Sequence, residues 1–203
     1  MPGVPAPVTD ERDGLRAFVA QQHDVLRIAA HGLTDEQAAT AASVSSLSIA
    51  TLLKHVTSME ETWMARADAA PERWQHDLRP MEERAAQHAS DFTVLPGETL
   101  ASILERYDER CRRTDETIAG LDLDTPVPVP SAPWFPEGSP DWSVRWVLLH
   151  LIEEIARHAG HADIIRESID GATGFALMAA VEGWPETPWL KPWRPAASGQ
   201  RVL

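Results

Sequence analysis

His150, Glu154, His158 and His161 recur at three- and four-residue spacing in one stretch without a helix breaker. At about 100° per residue these four lie within about 80° of one another on a helix. Beside them run Leu148, Leu151, Ile155, Ala159 and Ala162, so the ionisable face borders an apolar one and turns partly inward. Burying a carboxylate and imidazoles is expensive without compensation, and a divalent cation supplies it. Two ligands at i and i+4, Glu154 and His158, suit such an ion. A third from another helix would leave one coordination position open, the mark of a catalytic rather than a structural centre.

His55 is the third candidate ligand. It is a single polar ring in the apolar run Leu52-Leu53-Lys54-His55-Val56. His23 and His31 fall near the end of the first helix, and His76 and His88 in polar linker sequence, so neither pair shares that inward context. His150 and His161 are candidates for orienting ligands or relaying protons. Each residue also has a plainer reading. His55 alone reads as a hydrogen-bonded core histidine, and Glu154 with His158 as a solvated pair.

Four segments of helical periodicity must position these groups. The first runs from about Asp10 to His31, with Leu15, Phe18, Val19, Gln22, Leu26 and Ala29 on or near its stripe. Gly32 ends it, and Thr34-Asp35-Glu36-Gln37 reads as a capping box for a short turn. The second starts at the N-cap Ser48 and runs to about Ala70, closed by Pro71. A polar stretch follows, from Glu72 to Thr93. The third runs from about Glu98 to Leu121. The fourth opens at Ser139-Pro140-Asp141-Trp142 and ends near Ile169, before Asp170-Gly171.

Between the third and fourth lies a proline-rich loop, Thr125 to Pro136, which cannot be helical. No run alternates with period two over a useful length, so no strand is expected. The spacing therefore predicts an all-α four-helix bundle over residues 10–170. A disordered stretch, 1–9, precedes it. A Trp- and Pro-rich extension, 171–203, is expected to pack across the bundle, because an exposed tail with Trp184, Trp189 and Trp193 would be costly. Trp134 and Trp142, flanking the fourth helix start, are candidate pocket walls for a bound small molecule. The alternative is that these tryptophans only pack loops onto the bundle.

Composition narrows the partners. The 203 residues are 43% hydrophobic and 24% charged, with a formal charge of -13. Such a surface repels nucleic acid and anionic membranes. No apolar run approaches the roughly 20 residues of a membrane span, and the N-terminus has no basic start before an apolar core. The single cysteine, Cys111, rules out an internal disulfide and agrees with a reducing cytoplasm. Cys111 reads as a small helix residue, or as a thiol activated by Arg110, Arg112 and Arg113.

Taken together, these segments resemble the DinB-like bundle superfamily, in the branch that includes the mini-circle protein. The resemblance rests on Gly32–Ala38, on Ser46–His55, and above all on the long run Trp142–Asp163; the stretch Glu182–Pro188 also matches. It implies an antiparallel four-helix bundle with a long crossover connection, and a metal held by one histidine of the second helix and two ligands four apart on the last. Many relatives have histidine at all three places. Here the middle one is Glu154, a variant similar to the mycothiol-dependent maleylpyruvate isomerases.

The resemblance further implies a transferase using a low-molecular-weight thiol such as mycothiol or bacillithiol, with zinc, or nickel or another divalent ion, activating the thiol for attack on a small electrophile. A metal-dependent hydrolase and a non-catalytic metal-binding stress protein are the alternatives. A monomer or homodimer in the cytoplasm is expected, with small molecules as its only partners.

Overall fold

The computed structural model describes residues 3–195 apart from 131, 134, 136 and 137. Its long helices are α1 (Glu11–Ala29), α3 (Ile49–Ala69), α5 (Leu100–Gly120) and α6 (Val144–Asp170), and shorter ones are α2 (Asp35–Ala39), α4 (Met81–Asp91) and α7 (Gly174–Glu182). The chain is thus all-α, with one two-residue strand pair, β1 (Pro126–Val127) and β2 (Trp142–Ser143), paired antiparallel.

Each long helix starts at a side-chain cap. Asp10, Ser48, Thr99 and Ser143 each accept from a backbone N–H three residues on, satisfying one of the unpaired donors of a first turn. Ser48 with Thr51, and Thr99 with Ser102, form reciprocal capping boxes, as Thr34 with Gln37 does for α2.

Ion pairs give the helix directions. Arg16 meets Asp115 and Arg27 meets Asp108, so α1 and α5 are antiparallel. Arg145 reaches Glu11, and Arg166 donates to the carbonyls of Ala29 and His31, so α1 and α6 run together. Trp63 packs on Trp146 and His55 on His158, so α3 and α6 are antiparallel. Parallel neighbours α3 and α5 need a connection that returns along the bundle; residues 70–99, carrying α4, provide it. The proline-rich loop crosses one end instead, held by the β1–β2 pair and by the Arg145 amide on the Leu123 carbonyl.

Leu52, Leu53 and Val56 of α3, Ile103 and Ile118 of α5, and Leu148, Leu151 and Ile155 of α6 meet in the centre with almost no exposure. Each fully buried aliphatic of this kind contributes about 1.5–3 kcal/mol. Arg166 is buried too, with Asp170 pairing its guanidinium while the remaining donors close the end of α1. Trp193 lies over that guanidinium at 4.9 Å, and its indole N–H donates to Asp170.

Three features depart from expectation. The polar stretch after Pro71 contains α4, and the extension contains α7. Phe18, placed on the inward stripe of α1, is 47% exposed, while His23, placed outside it, is buried. Finally, residues 126–127 and 142–143 pair as strands, too short to leave an alternating pattern.

Candidate metal centre and pocket

His55 sits in the second turn of α3, which the buried Ser48–Thr51 cap fixes in register. Only 7% of it is exposed. Its ring stacks on Phe92 at 4.5 Å, meets His158 edge-on at 4.7 Å and His88 edge-on at 5.3 Å. Burial, then the nearby His158 and His88, pull its pKa down to about 4, so the ring is neutral near pH 7. Burial also lowers His158, against the opposing charge of Glu154. Neutral imidazole is the form that binds a metal.

The second wall is a column on α6. Trp146, His150, Glu154 and His158 follow at intervals of four and stand above one another, and Trp142 of β2 extends the line by stacking on Trp146. Trp142 stacks on Trp146 at 4.4 Å, and Trp146 on His150 at 5.1 Å. Below them, Glu154 is bracketed: Oε1 is 3.7 Å from His150 Nε2, and Oε2 is 3.7 Å from His158 Nε2. His150 also faces Glu153 at 3.3 Å and meets Trp63 edge-on at 4.6 Å.

The end of α4 closes the third side. Lys54 Nζ donates to Glu98 and to the Thr93 carbonyl, both at 2.6 Å, which ties the end of this connection to α3 one residue from His55. His88 and buried Asp91 are carried there with Phe92. A ligand atom from each of His55, His88 and Asp91 lies within 4.8 Å of the other two.

Of the residues predicted from sequence, His55, His150, Glu154 and His158 line one cavity of about 710 Å³. His161 is exposed on the flank of His158, ring centroids 5.7 Å apart, and is not among the residues lining it. Trp142 packs one ring back, against Trp63, Trp146 and Phe135; among the described residues, Trp63 and Trp74 are the tryptophans that line the cavity. Trp134 lies outside the described residues. Trp193 is far from this wall, against His31.

Cys111 lines a separate hollow between α1 and α5, alongside His23 and Asp108. Burial, reinforced by the charge of Glu60, raises its thiol pKa well above the ordinary range, so the neighbouring arginines do not activate it.

The residues around His55 suit a cation. Nδ1 of His55 and Nδ1 of His158 are both buried without a hydrogen-bond partner among the described residues. Unpaired imidazole nitrogens are groups that a divalent ion satisfies, but among the described residues the set whose ligand atoms converge is His55, His88 and Asp91, while Glu154 faces Nε2 of His158 rather than either Nδ1. His88 was set aside in the sequence as part of a polar linker, and Asp91 went unnoticed there, because polar residues dominate that stretch; the signal that existed was their i, i+3 spacing.

No curated protein matches the chain. The family model described as mycothiol-S-transferase matches residues 14–171, which spans the bundle from α1 to the end of α6.

Proposed function

The chain belongs to the mycothiol-S-transferase family, and from that premise we propose that it is a metal-dependent transferase joining a small thiol, mycothiol foremost, to an electrophilic small molecule. The observation that carries the reading is the pair of buried Nδ1 atoms of His55 and His158, unpartnered among the described residues, in the cavity that Glu154 also lines and where Glu154 faces the other ring nitrogen of His158. These three residues are the proposed ligands. When bound, the ion supplies positive charge that favours the ionised form of a nearby sulfur at neutral pH.

The chain's own residues do the rest. Trp63 and Phe92 give the cavity apolar walls that exclude water from the reacting carbon. His150, between Glu153 and Glu154, is the group placed to take the thiol proton. The sulfur then forms its bond to carbon, and the leaving group departs with its electron pair. No cysteine of the protein is required, in keeping with the unreactive setting of Cys111.

The test is direct. Elemental analysis of purified protein is expected to find about one divalent ion per chain, and the metal-loaded protein to consume a haloarene or bimane electrophile only when mycothiol is added. Turnover without any thiol would instead indicate hydrolysis by bound water. No turnover with mycothiol, bacillithiol or another small thiol overturns the proposal.

A further inference from the structure

Arg79 lies between the helical turn Gln75–Leu78 and α4, and it lines the same cavity as His55, His150, Glu154 and His158. Its Nε and Nη2 are buried and find no acceptor among the described residues. A guanidinium keeps its charge throughout the accessible pH range, so it cannot escape this position by losing a proton. Arg79 as a whole is half-buried, so it is these two N–H groups that lack a partner, and donors left unpaired in this way are costly and call for an acceptor.

The rest of the cavity agrees. Among the described residues it gathers three guanidinium groups, Arg66, Arg79 and Arg84, against two carboxylates, Asp91 and Glu154. The chain as a whole is strongly acidic, with a formal charge of -13. The described lining thus carries one more cation than it does carboxylates, against the acidic average of the chain. Arg66 is held over the rings of Trp63 and Trp74, at 4.7 and 5.8 Å from their centroids. Around these cations the walls are apolar: Trp63, Trp74, Met59 and Phe92. The combination is a fork of unpaired donors beside aromatic walls.

We propose that the electrophile is an aromatic or similarly apolar carboxylate, whose carboxylate is received by the fork of Arg79 while its body lies against the aromatic walls. This rests on the transferase reading above. Mycothiol carries no ionised group near neutral pH, so the charge that Arg79 awaits belongs to the other reactant. A planar carboxylate matches a guanidinium with two parallel hydrogen bonds, which a neutral amide of the same shape cannot reproduce.

A matched pair separates the possibilities. 4-Chloro-3-nitrobenzoate and 4-chloro-3-nitrobenzamide both react by formation of a carbon–sulfur bond at the chlorinated carbon; chloride leaves with the bonding pair and the thiol proton passes to solvent. With metal-loaded protein and mycothiol, the benzoate is expected to be favoured in kcat/KM by about tenfold or more, after division by the uncatalysed rates. In Arg79→Gln that preference disappears through a higher KM for the benzoate, with the amide unchanged. Arg79→Lys keeps part of it.

A second arm needs no thiol. Calorimetric titration of the unreactive 3-nitrobenzoate is expected to show binding that 3-nitrobenzamide lacks in the unaltered protein. Equal behaviour of acid and amide in both arms overturns the inference and leaves the transferase reading intact. Binding of the acid without transfer to either haloarene overturns the transferase reading and leaves Arg79 as an anion site. Tighter binding of 3-nitrophenyl phosphate than of 3-nitrobenzoate overturns the assignment to carboxylates.

Discussion

Nε2 of His23 and Oε2 of Glu60 lie 2.8 Å apart inside the bundle, about 140° round α3 from His55. Glu60 has no exposure and His23 is 4% exposed. The hydroxyl of Tyr107 donates to the His23 carbonyl, which joins α1, α3 and α5 at one polar point. The other carboxylate oxygen of Glu60 is buried without a partner among the described residues.

Removing one member of such a pair strands the other. Glu60→Leu and His23→Leu are each expected to cost up to about 3–5 kcal/mol, whereas the double variant, which removes both polar groups, costs much less than the sum of the single changes. Urea unfolding of the two single variants and the double variant measures this. Additive losses would mean that the two side chains are not energetically coupled.

Metal retention is expected to depend unequally on the histidines. His55→Ala and His158→Ala should each empty the site, because each removes a proposed ligand. His88→Ala should weaken the metal by about 10–100-fold without abolishing it, the scale on which supporting residues act. Competition with a chromophoric chelator reads both. Unchanged affinity in His55→Ala would remove the metal from this pocket.

Stability at low pH should report Glu98. Partial burial would raise its pKa, but the Leu95 amide, Lys54 and Arg106 outweigh that and bring it down to about 2. A depressed carboxylate adds stability that is complete above its unfolded pKa, near 4.5, and fades as pH falls towards about 2. The stability difference between the unaltered protein and Glu98→Gln should therefore be largest at neutral pH and shrink between about pH 4.5 and 2. A difference that is flat across this window would contradict the assignment. Because Lys54 anchors the end of the α4 connection through Glu98, the same variant should also loosen Phe92 over His55.

Gly32 is the tightest backbone position in the extension's docking site. Its φ is +72°, and a Cβ there would overlap the indole of Trp193. Gly32→Ala is expected to cost about 1–3 kcal/mol in melting experiments. It should also displace Trp193 from Arg166, so that a protease removes the C-terminal segment faster. An unchanged digestion pattern would show that the indole can be accommodated elsewhere.

The four long helices were legible because their apolar residues repeat at helical spacing between strong breakers. The proposed ligands on α3 and α6 were legible for the same reason: Glu154 and His158 stand one turn apart, and His55 interrupts an apolar run. By contrast α4 left no apolar stripe to read, since Glu82, Glu83, Arg84 and His88 dominate it. His23 was readable in principle. It is four residues after buried Val19 and three before buried Leu26, on the stripe itself. Its place near the end of the first helix set it aside, because its partner Glu60 comes from another helix. Arg79 had no sequence signal at all; its significance lies in what surrounds it in space.

The raised thiol pKa of Cys111 has a consequence for durability. A catalyst that handles electrophiles risks alkylating itself, and an ionised surface sulfur would be the first casualty. Here the one sulfhydryl stays protonated and stands in a different hollow from the reactive pocket. Repeated exposure to haloarenes or bimanes should therefore leave the protein unmodified at that residue.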